Sequence, residues 1–495
     1  MSNIKLGEII KRNKYSGALS DHDGIGEAGS DECGSKVIVF LKIDGGVISK
    51  ISFLAYGPPQ LIALSVLISE RFEGRNLLDA ANFYRNDLVE MLEERDKEDI
   101  CFDVSWLAFR RSVDFAFSNY KGHIKTDNVS NSTVCSMSGG VDSSVAPLLL
   151  KDAGHDLVGV TLDLFDQEDD RAVQSVYSRS CCSPQDIEDA RNVCEKLGIP
   201  HITLDVRGEF KRMVIDRFTD AYLRGITPNP CIDCNRYIRF DLLIRKMKQF
   251  GAGRLATGHY ARIQYEPGDG KFTVRKGVDS QKDQSYVFWP AKQDVLEKVI
   301  TPLGEKTKLE VRRIALENDL PVFEKMESQD VCFIKNGDYA DFIEQAAGYK
   351  KERGPIYDES GNQIGFHKGY VHYTIGQRRG LNIGAGGPYF VVSIDSENNA
   401  LHVSNNSNLG IREVMLTDVN YIFYDAPPEE VDAMVMVRYR SVEYPARIIN
   451  YERNGTKVVF KEPVRFPSPG QSAVFYHGDL LLGGGIIEVN SKLER

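Results

Sequence analysis

Seven consecutive residues, Ser138-Gly139-Gly140-Val141-Asp142-Ser143-Ser144, place two glycines and three hydroxyls after an apolar run that ends at Met137. Glycines let backbone approach an anion closely, and hydroxyls beside the exposed N–H groups of a helix start can hold phosphate or pyrophosphate. The loop lacks the Gly-Lys-Ser/Thr ending of a Walker A sequence, so γ-phosphate transfer is not the chemistry it indicates. A second constellation is Thr227-Pro228-Asn229-Pro230-Cys231-Ile232-Asp233-Cys234-Asn235, in which two prolines stiffen a loop that presents two thiols at CxxC spacing. Structural zinc needs four ligands, and Cys181 with Cys182 would have to supply the other pair, although adjacent residues bind one ion poorly. A redox dithiol is the other reading, without a thioredoxin-type βαβ context, and the residues alone leave metal and catalysis open. Cys332, between Val331 and Phe333, reads by itself as core, as do Cys135 and Cys194.

These residues need elements to position them. Lys36 to Lys42 and Val47 to Phe53 are β-rich runs split by Asp44-Gly45-Gly46, a hairpin signal. Leu61 to Arg71, Leu77 to Leu92 and Trp106 to Phe117 carry apolar residues at helical spacing, and the polar stretch Tyr120 to Ser132 reads as a linker. From Thr133 the pattern alternates: a strand to Met137, a helix near Ser143 to Lys151, a strand Leu157 to Leu162, a helix Pro184 to Leu197, a strand Ile199 to Leu204, and a strand end at Arg254 to Thr257. That alternation predicts a doubly wound parallel sheet. Beyond Asp341 short β runs return, and Val435 to Tyr439, Ala446 to Tyr451, Lys457 to Phe460 and Ser472 to Tyr476 predict a small antiparallel barrel. The expected organisation is a multi-domain α/β chain: an α+β unit at 1–120, a linker at 121–132, a parallel-sheet domain carrying the Gly-rich loop at 133–340, a small central domain at 341–410 and a β-barrel at 411–495.

Composition bounds the rest. With 495 residues, 42% hydrophobic and 27% charged, the chain is long enough for several folded domains and unlike a disordered protein. Its longest apolar stretch, Leu61 to Ile68, is too short to span a bilayer, and the N-terminus lacks the apolar region of a secretory signal, so a cytoplasmic address without a membrane partner is expected. A net charge of −10 excludes a surface coated in positive charge but not a local basic groove for RNA. Nine cysteines are too sparse for a disulfide scaffold.

The Gly-rich loop resembles the PP-loop of ATP pyrophosphatases, which cleave ATP between the α and β phosphates. From Thr133 to Glu488 the sequence resembles the tRNA-specific 2-thiouridylase family (MnmA type). The resemblance rests on SMSGGVDSSV at Ser136, GITPNPCIDCN at Gly225, ATGHYAR at Ala256, KDQSYVF at Lys282, SQDVCFI at Ser328, YTIGQRRGL at Tyr373 and PGQSAVFYHGDLLLGGGIIE at Pro469, in that order. It implies a sulfurtransferase that adenylates the C2 oxygen of the wobble uridine of tRNA with ATP and Mg2+ and replaces that oxygen with sulfur. It implies ATP contacts at Ser136, Met137, Ser138, Gly139, Gly140, Val141, Asp142 and Ser143, with Leu162 and Gly258 bordering adenine and ribose. Asn229, Pro230 and Cys231 match positions beside the flipped base, and His259, Lys282, Asp283, Gln284, Arg438, Tyr439 and Gln471 match positions that touch tRNA. Arg378, Arg379 and Arg440 lie in segments the family uses on tRNA, while Lys306 and Lys308 read equally as a solvated face. Cys332 matches the persulfide carrier, and Cys234 matches the thiol that releases its outer sulfur and ends as a disulfide with it.

One departure stands out: many relatives carry Asp where this chain has Cys231. Cys231, Cys234 and Cys332 are therefore expected to ligate three corners of a [4Fe–4S] cluster whose open iron binds hydrosulfide. Asp31 to Ala80 resembles the NifU/IscU iron–sulfur scaffold, with Cys33 at the first ligand position, Ser35 in place of the Asp, Pro58 in place of the second Cys and the third near Val104; Cys101 is out of register. The expected role is docking of a cysteine desulfurase or other sulfur donor with sulfur passing through Cys33; the alternative is a structural remnant. Two other functions compete: a non-catalytic iron–sulfur carrier on a tRNA-binding scaffold, which would not need SGGVDSS, and an amidotransferase-type PP-loop synthetase, which TPNPCxxCN and LGGGIIE disfavour.

Overall fold

The computed structural model describes residues 6–30, 34–91, 101–122, 132–165, 183–326, 331–334, 339–350, 352–384, 388–405, 410–451 and 455–488. Cys33, Cys181, Cys182, Ser328, Gln329, Asp330 and most of the expected linker lie outside the described residues.

The N-terminal unit begins with helix α1 (Leu6–Lys11) and an antiparallel sheet β1 (Gly24–Ser30), β2 (Ser35–Asp44) and β3 (Val47–Tyr56). Apolar residues alternate inward along β2, and Gly45 and Gly46, both at positive φ, make the turn into β3. Helix α2 (Pro59–Phe72) follows, then α3 (Leu77–Ala81), α4 (Arg85–Glu90) and the long α5 (Cys101–Asn119). The single helix expected over Leu77 to Leu92 is thus two short ones. Tyr84 is extended between them; its N–H donates to Asp87 Oδ2 (2.6 Å) and its hydroxyl reaches Ile199 O (2.5 Å), contacts that an unbroken helix would forfeit. Helix α5 crosses the sheet closely enough that a Cβ on Gly26 would stand 2.1 Å from Ala108 O.

The second unit holds β4 (Thr133–Met137), α6 (Val141–Asp152), β5 (Leu157–Asp163), α7 (Pro184–Leu197) and β6 (His201–Asp205). A capping box between Ser183 and Asp186 starts α7, and Gly198 at φ +62° ends it. Next come α8 (Arg207–Phe210), a π-helical stretch Lys211–Ile215, α9 (Asp216–Leu223), α10 (Pro230–Asp233), a second π stretch Cys234–Leu242 and α11 (Leu243–Met247). Strand β7 (Arg254–Ala256) returns to the sheet, β8 (Ala261–Glu266) and β9 (Lys271–Lys276) form a hairpin that leaves it, and α12 (Gln293–Leu296), β10 (Val299–Ile300) and α13 (Lys308–Glu317) complete the unit. The sheet is parallel, ordered β10-β7-β4-β5-β6, as the alternation predicts.

Helix α14 (Tyr339–Ala347) leads into a mixed four-stranded sheet of β11 (Gly354–Tyr357), β12 (Gln363–His367), β13 (Phe390–Asp395) and β14 (Ala400–Ser404). The barrel consists of β15 (Ile411–Tyr421), β16 (Glu430–Met436), β17 (Glu443–Tyr451), β18 (Gly455–Val464), β19 (Ser472–His477) and β20 (Leu480–Ile487), closed by β15 against β20. The run expected as a strand at Val435 to Tyr439 leaves the barrel after Met436 and turns, with Arg440 at φ +59°. The β8–β9 hairpin adds to the barrel sheet beside β20.

Candidate active site

Strand β4 is buried along its whole length and delivers the Gly-rich loop to the start of α6. Gly139 adopts φ +65°, and a Cβ there would meet Asp186 O at 2.2 Å, so both conformation and space demand glycine. Gly140 is the N-cap of the twelve-residue α6, whose first amides face the loop. Ser143 Oγ accepts from Ser138 N–H (3.1 Å) and donates to Gly140 O (3.0 Å), and Ser144 Oγ also donates to Gly140 O (2.8 Å). Arg239 reaches Ser136 Oγ at 3.5 Å, which brings a guanidinium to the loop. Gly258 packs against the start of α6, where a Cβ would come within 2.8 Å of the Asp142 carbonyl carbon. Leu162 is buried near the end of β5, paired with Leu204.

Asp142 is held from two sides. Lys308 Nζ lies 2.7 and 2.8 Å from its two oxygens, and Tyr260 OH donates to Oδ1 (2.7 Å). Lys308, read from sequence as equally an RNA contact or part of a solvated face, is buried at the N-terminus of α13, and its backbone N–H donates to Asp279 Oδ2 (2.9 Å).

The cysteine loop starts α10 with Asn229 as N-cap, its side chain accepting from Cys231 N–H (3.1 Å), and with Pro230 in the first turn. Asn235 Nδ2 donates to Cys231 O (2.9 Å). Cys231 is exposed and Cys234 half-buried; three residues apart on one helical run, they share a face. The loop is clamped by the barrel: Gln471 Nε2 donates to Thr227 O (2.9 Å) and Pro228 O (3.2 Å), and Thr227 N–H donates to Pro469 O (3.0 Å). Arg236 forms a bidentate pair with Asp418 of β15. Tyr237 lies between the guanidiniums of Arg217 (5.1 Å) and Arg236 (5.2 Å), and Arg217 bonds Asp233 (3.2 Å). Burial pushes the Asp233 carboxyl up, against the pull of Arg217.

Cys332 is half-buried and packs on the same core as Cys234. Its neighbour Phe333 fills an aromatic cluster with Phe210 (5.9 Å), Phe218 (5.2 Å) and Phe342 (5.1 Å). Adjacent residues of α9 therefore grip both thiol segments, Arg217 through Asp233 and Phe218 through Phe333. Among the described residues, no three His, Cys, Asp or Glu side chains gather closely enough to hold a metal ion.

A cleft of about 530 Å³ between the Lys276 to Tyr286 segment and the Met436 to Glu443 turn gathers Lys276, Asp283, Tyr286, Tyr439, Arg440 and Glu443. Residues 131–336 match the tRNA methyl transferase HUP domain family, 340–405 the tRNA methyl transferase PRC-barrel domain, 411–487 the aminomethyltransferase beta-barrel domain and 5–127 the NifU-like N terminal domain. The tRNA-specific 2-thiouridylase MnmA of Carboxydothermus hydrogenoformans is 44% identical over 352 residues, which cover 71% of this chain and 96% of that protein. The MnmA of Geobacter metallireducens is 43% identical over 363 residues, 73% of this chain and 98% of that one. The chain belongs to the tRNA-specific 2-thiouridylase MnmA family. Among solved structures, a putative iron–sulfur cluster assembly scaffold protein of Fervidobacterium islandicum AW-1 is 15% identical and covers 22% of this chain and 93% of that one, with a TM-score of 0.19.

Several positions that the MnmA resemblance assigns to tRNA are engaged within the chain. Asp283 accepts from Gly277 N–H (2.9 Å), Ser285 N–H (3.1 Å) and Ser285 Oγ (2.9 Å), and Gln284 exchanges two hydrogen bonds with the Tyr260 backbone. His259 Nδ1 pairs with Thr257 Oγ1 (2.9 Å) and its ring meets Phe288 edge-on; burial, with Arg239 nearby, brings its pKa down to about 3. Tyr439 OH donates to Asp283 O (3.3 Å), Lys282 is half-buried, and Arg438, Arg440, Arg378 and Arg379 are exposed. In the NifU-like unit, Ser35 and Val104 are buried and Pro58 precedes α2, so the described residues at the resemblance's ligand positions offer no thiolate or carboxylate. Lys308, Tyr260, Arg239 and Asp418 escaped the sequence reading; only the Thr307 to Glu310 capping box, which fixes where α13 begins, could have pointed to Lys308.

Proposed function

We propose that the chain is an ATP-dependent tRNA 2-thiouridylase acting at C2 of the wobble uridine. The C2 carbonyl is amide-like and its oxygen leaves poorly. Attack of that oxygen on the α-phosphorus of ATP forms an adenylate and releases pyrophosphate, which the oriented amides of α6 and the hydroxyls of Ser138 and Ser143 are suited to hold. Mg2+ arrives with the nucleotide.

Sulfur reaches Cys332 as a persulfide from a cysteine desulfurase or another donor. The Cys234 thiolate attacks Cys332 Sγ; the Sγ–S bond breaks, a Cys234–Cys332 disulfide forms, and the outer sulfur leaves as hydrosulfide, which attacks C2 and expels AMP. An external reductant of the thiol class returns the disulfide to two thiols. The observation that carries this reading is the grip of α9 on both thiol segments through Arg217 and Phe218. No step of this reading runs through a cluster. The Asn229, Cys231 and Tyr439 region is proposed to receive the flipped base, and the Lys276 to Glu443 cleft an adjoining nucleotide.

The test uses Cys234→Ser, Cys332→Ser and Cys231→Asp full chains purified anaerobically. The first two should lose thiolation by about 10³-fold or more while tRNA-dependent pyrophosphate release persists, and Cys231→Asp should stay within about threefold of the parent. Pyrophosphate release without tRNA, thiolation surviving in Cys332→Ser, or about four irons per parent chain that Cys231→Asp loses together with activity would sink it.

A further inference from the structure

Strand β6 is the last strand of the catalytic sheet. Gly159 N–H donates to Pro200 O (2.8 Å), so even-numbered carbonyls face β5 and odd-numbered backbone groups face outward, where a sheet edge is normally bare. Here four of them are met by side chains of the N-terminal unit. Tyr84 OH donates to Ile199 O (2.5 Å), Arg110 donates to His201 O, Thr203 N–H donates to Asp114 Oδ1 (2.9 Å), and Asp205 N–H donates to Ser118 Oγ (3.1 Å). Arg110, Asp114 and Ser118 are spaced by four along α5, advancing about 6.0 Å per step against about 6.6 Å for two residues of strand. One stripe of helix stands where a sixth strand would lie. Arg191 of α7 locks it by reaching Asp114 (3.9 Å) and stacking on Trp106 (5.5 Å).

The stripe also sets direction. Helix α5 and β6 run the same way, with Ser118 at the Asp205 end, which is the end at which β4 delivers the Gly-rich loop. Back from Ser118 to its start at Cys101, α5 extends about 25 Å toward the opposite end of the sheet. Strand β1 runs against α5, with Gly24 on Ser112 and Ala116 and Gly26 on Ala108, so Ser30 and its partner Ser35 sit at that far end. Ser35 adjoins Gly57, just before α2, at the corner where the scaffold resemblance places its ligands.

We infer that the NifU-like unit is a fixed cap on the edge of the catalytic sheet, its scaffold corner turned away from the Gly-rich loop, and that it stays docked through turnover instead of carrying sulfur to the thiols of its own chain. Sulfur for Cys332 then comes from outside the chain.

Hydrogen exchange on the full chain tests this. Peptides over 199–206 should exchange slowly at rest and, within about twofold, equally slowly with ATP, tRNA, a thiol reductant and a cysteine desulfurase with its cysteine substrate present; a rise of about tenfold or more during turnover would overturn the inference. Ser118→Ala, which removes one half-buried hydroxyl, and the pair Asp114→Ala with Ser118→Ala should speed exchange at 203–205 by about tenfold while 157–163 is unchanged. Unaltered exchange in Ser118→Ala, which keeps the core intact, would show that the stripe does not hold the edge.

Discussion

Lys308 neutralises the only carboxylate of the Gly-rich loop, at the point where a triphosphate would otherwise face a negative charge. Lys308→Met leaves Asp142 with Tyr260 alone, and the loop should lose about 1–3 kcal/mol of stability, read by urea unfolding, together with a higher KM for ATP. Arginine at 308 should restore much of both. His259 supplies a pH signature. Its pKa is about 3 in the fold, while an unfolded histidine titrates near about 6.5, so the unfolded chain binds the extra proton first. The stability that neutral His259 contributes is complete above about pH 6.5 and is lost as pH falls toward 3. Comparing His259→Gln with the parent by denaturant unfolding from pH 7 to 5, the parent should lose about 2 kcal/mol more.

At the scale of elements, the thiol loop is shaped by the barrel as much as by its own prolines. Gln471→Ala removes both bonds to Thr227 and Pro228 and leaves two half-buried carbonyls without that donor. It should slow thiolation by about 10-fold or more with pyrophosphate release nearly intact, because the loop rather than the nucleotide site loosens. Much of this was legible beforehand. The Gly-rich turn, helix α7 and the parallel strands follow from apolar periodicity and from Gly139 and Ser183, all local signals. What was not legible is long-range. Tyr84 breaks a helix because Ile199 lies across an interface, and β8 and β9 alternate apolar and polar residues as a local hairpin does, while nothing local says that the hairpin joins β20, some two hundred residues away. For the same reason the bonds from Gln471 to Thr227 and Pro228 are not legible in the sequence.

For the whole molecule, no helix among the described residues is long and apolar enough to cross a membrane, and the exposed Arg378, Arg379, Arg438 and Arg440 lie on two separate segments. With a net charge of −10, tRNA binding should weaken steeply with salt, and replacing Arg438 by Gln should reduce the slope of log K against log salt by about one. The hairpin β8–β9 has a further consequence. It springs from the catalytic segment yet joins the barrel, where Arg262 and Arg275 both grip Asp479, while Trp289 is wholly buried and donates to Ser472 Oγ (3.0 Å). A cut after residue 340 would leave β8 and β9 on one piece and β20, which the hairpin joins, on the other. The half that carries the Gly-rich loop and the barrel should therefore melt as one calorimetric unit, and they are expected to be inherited together.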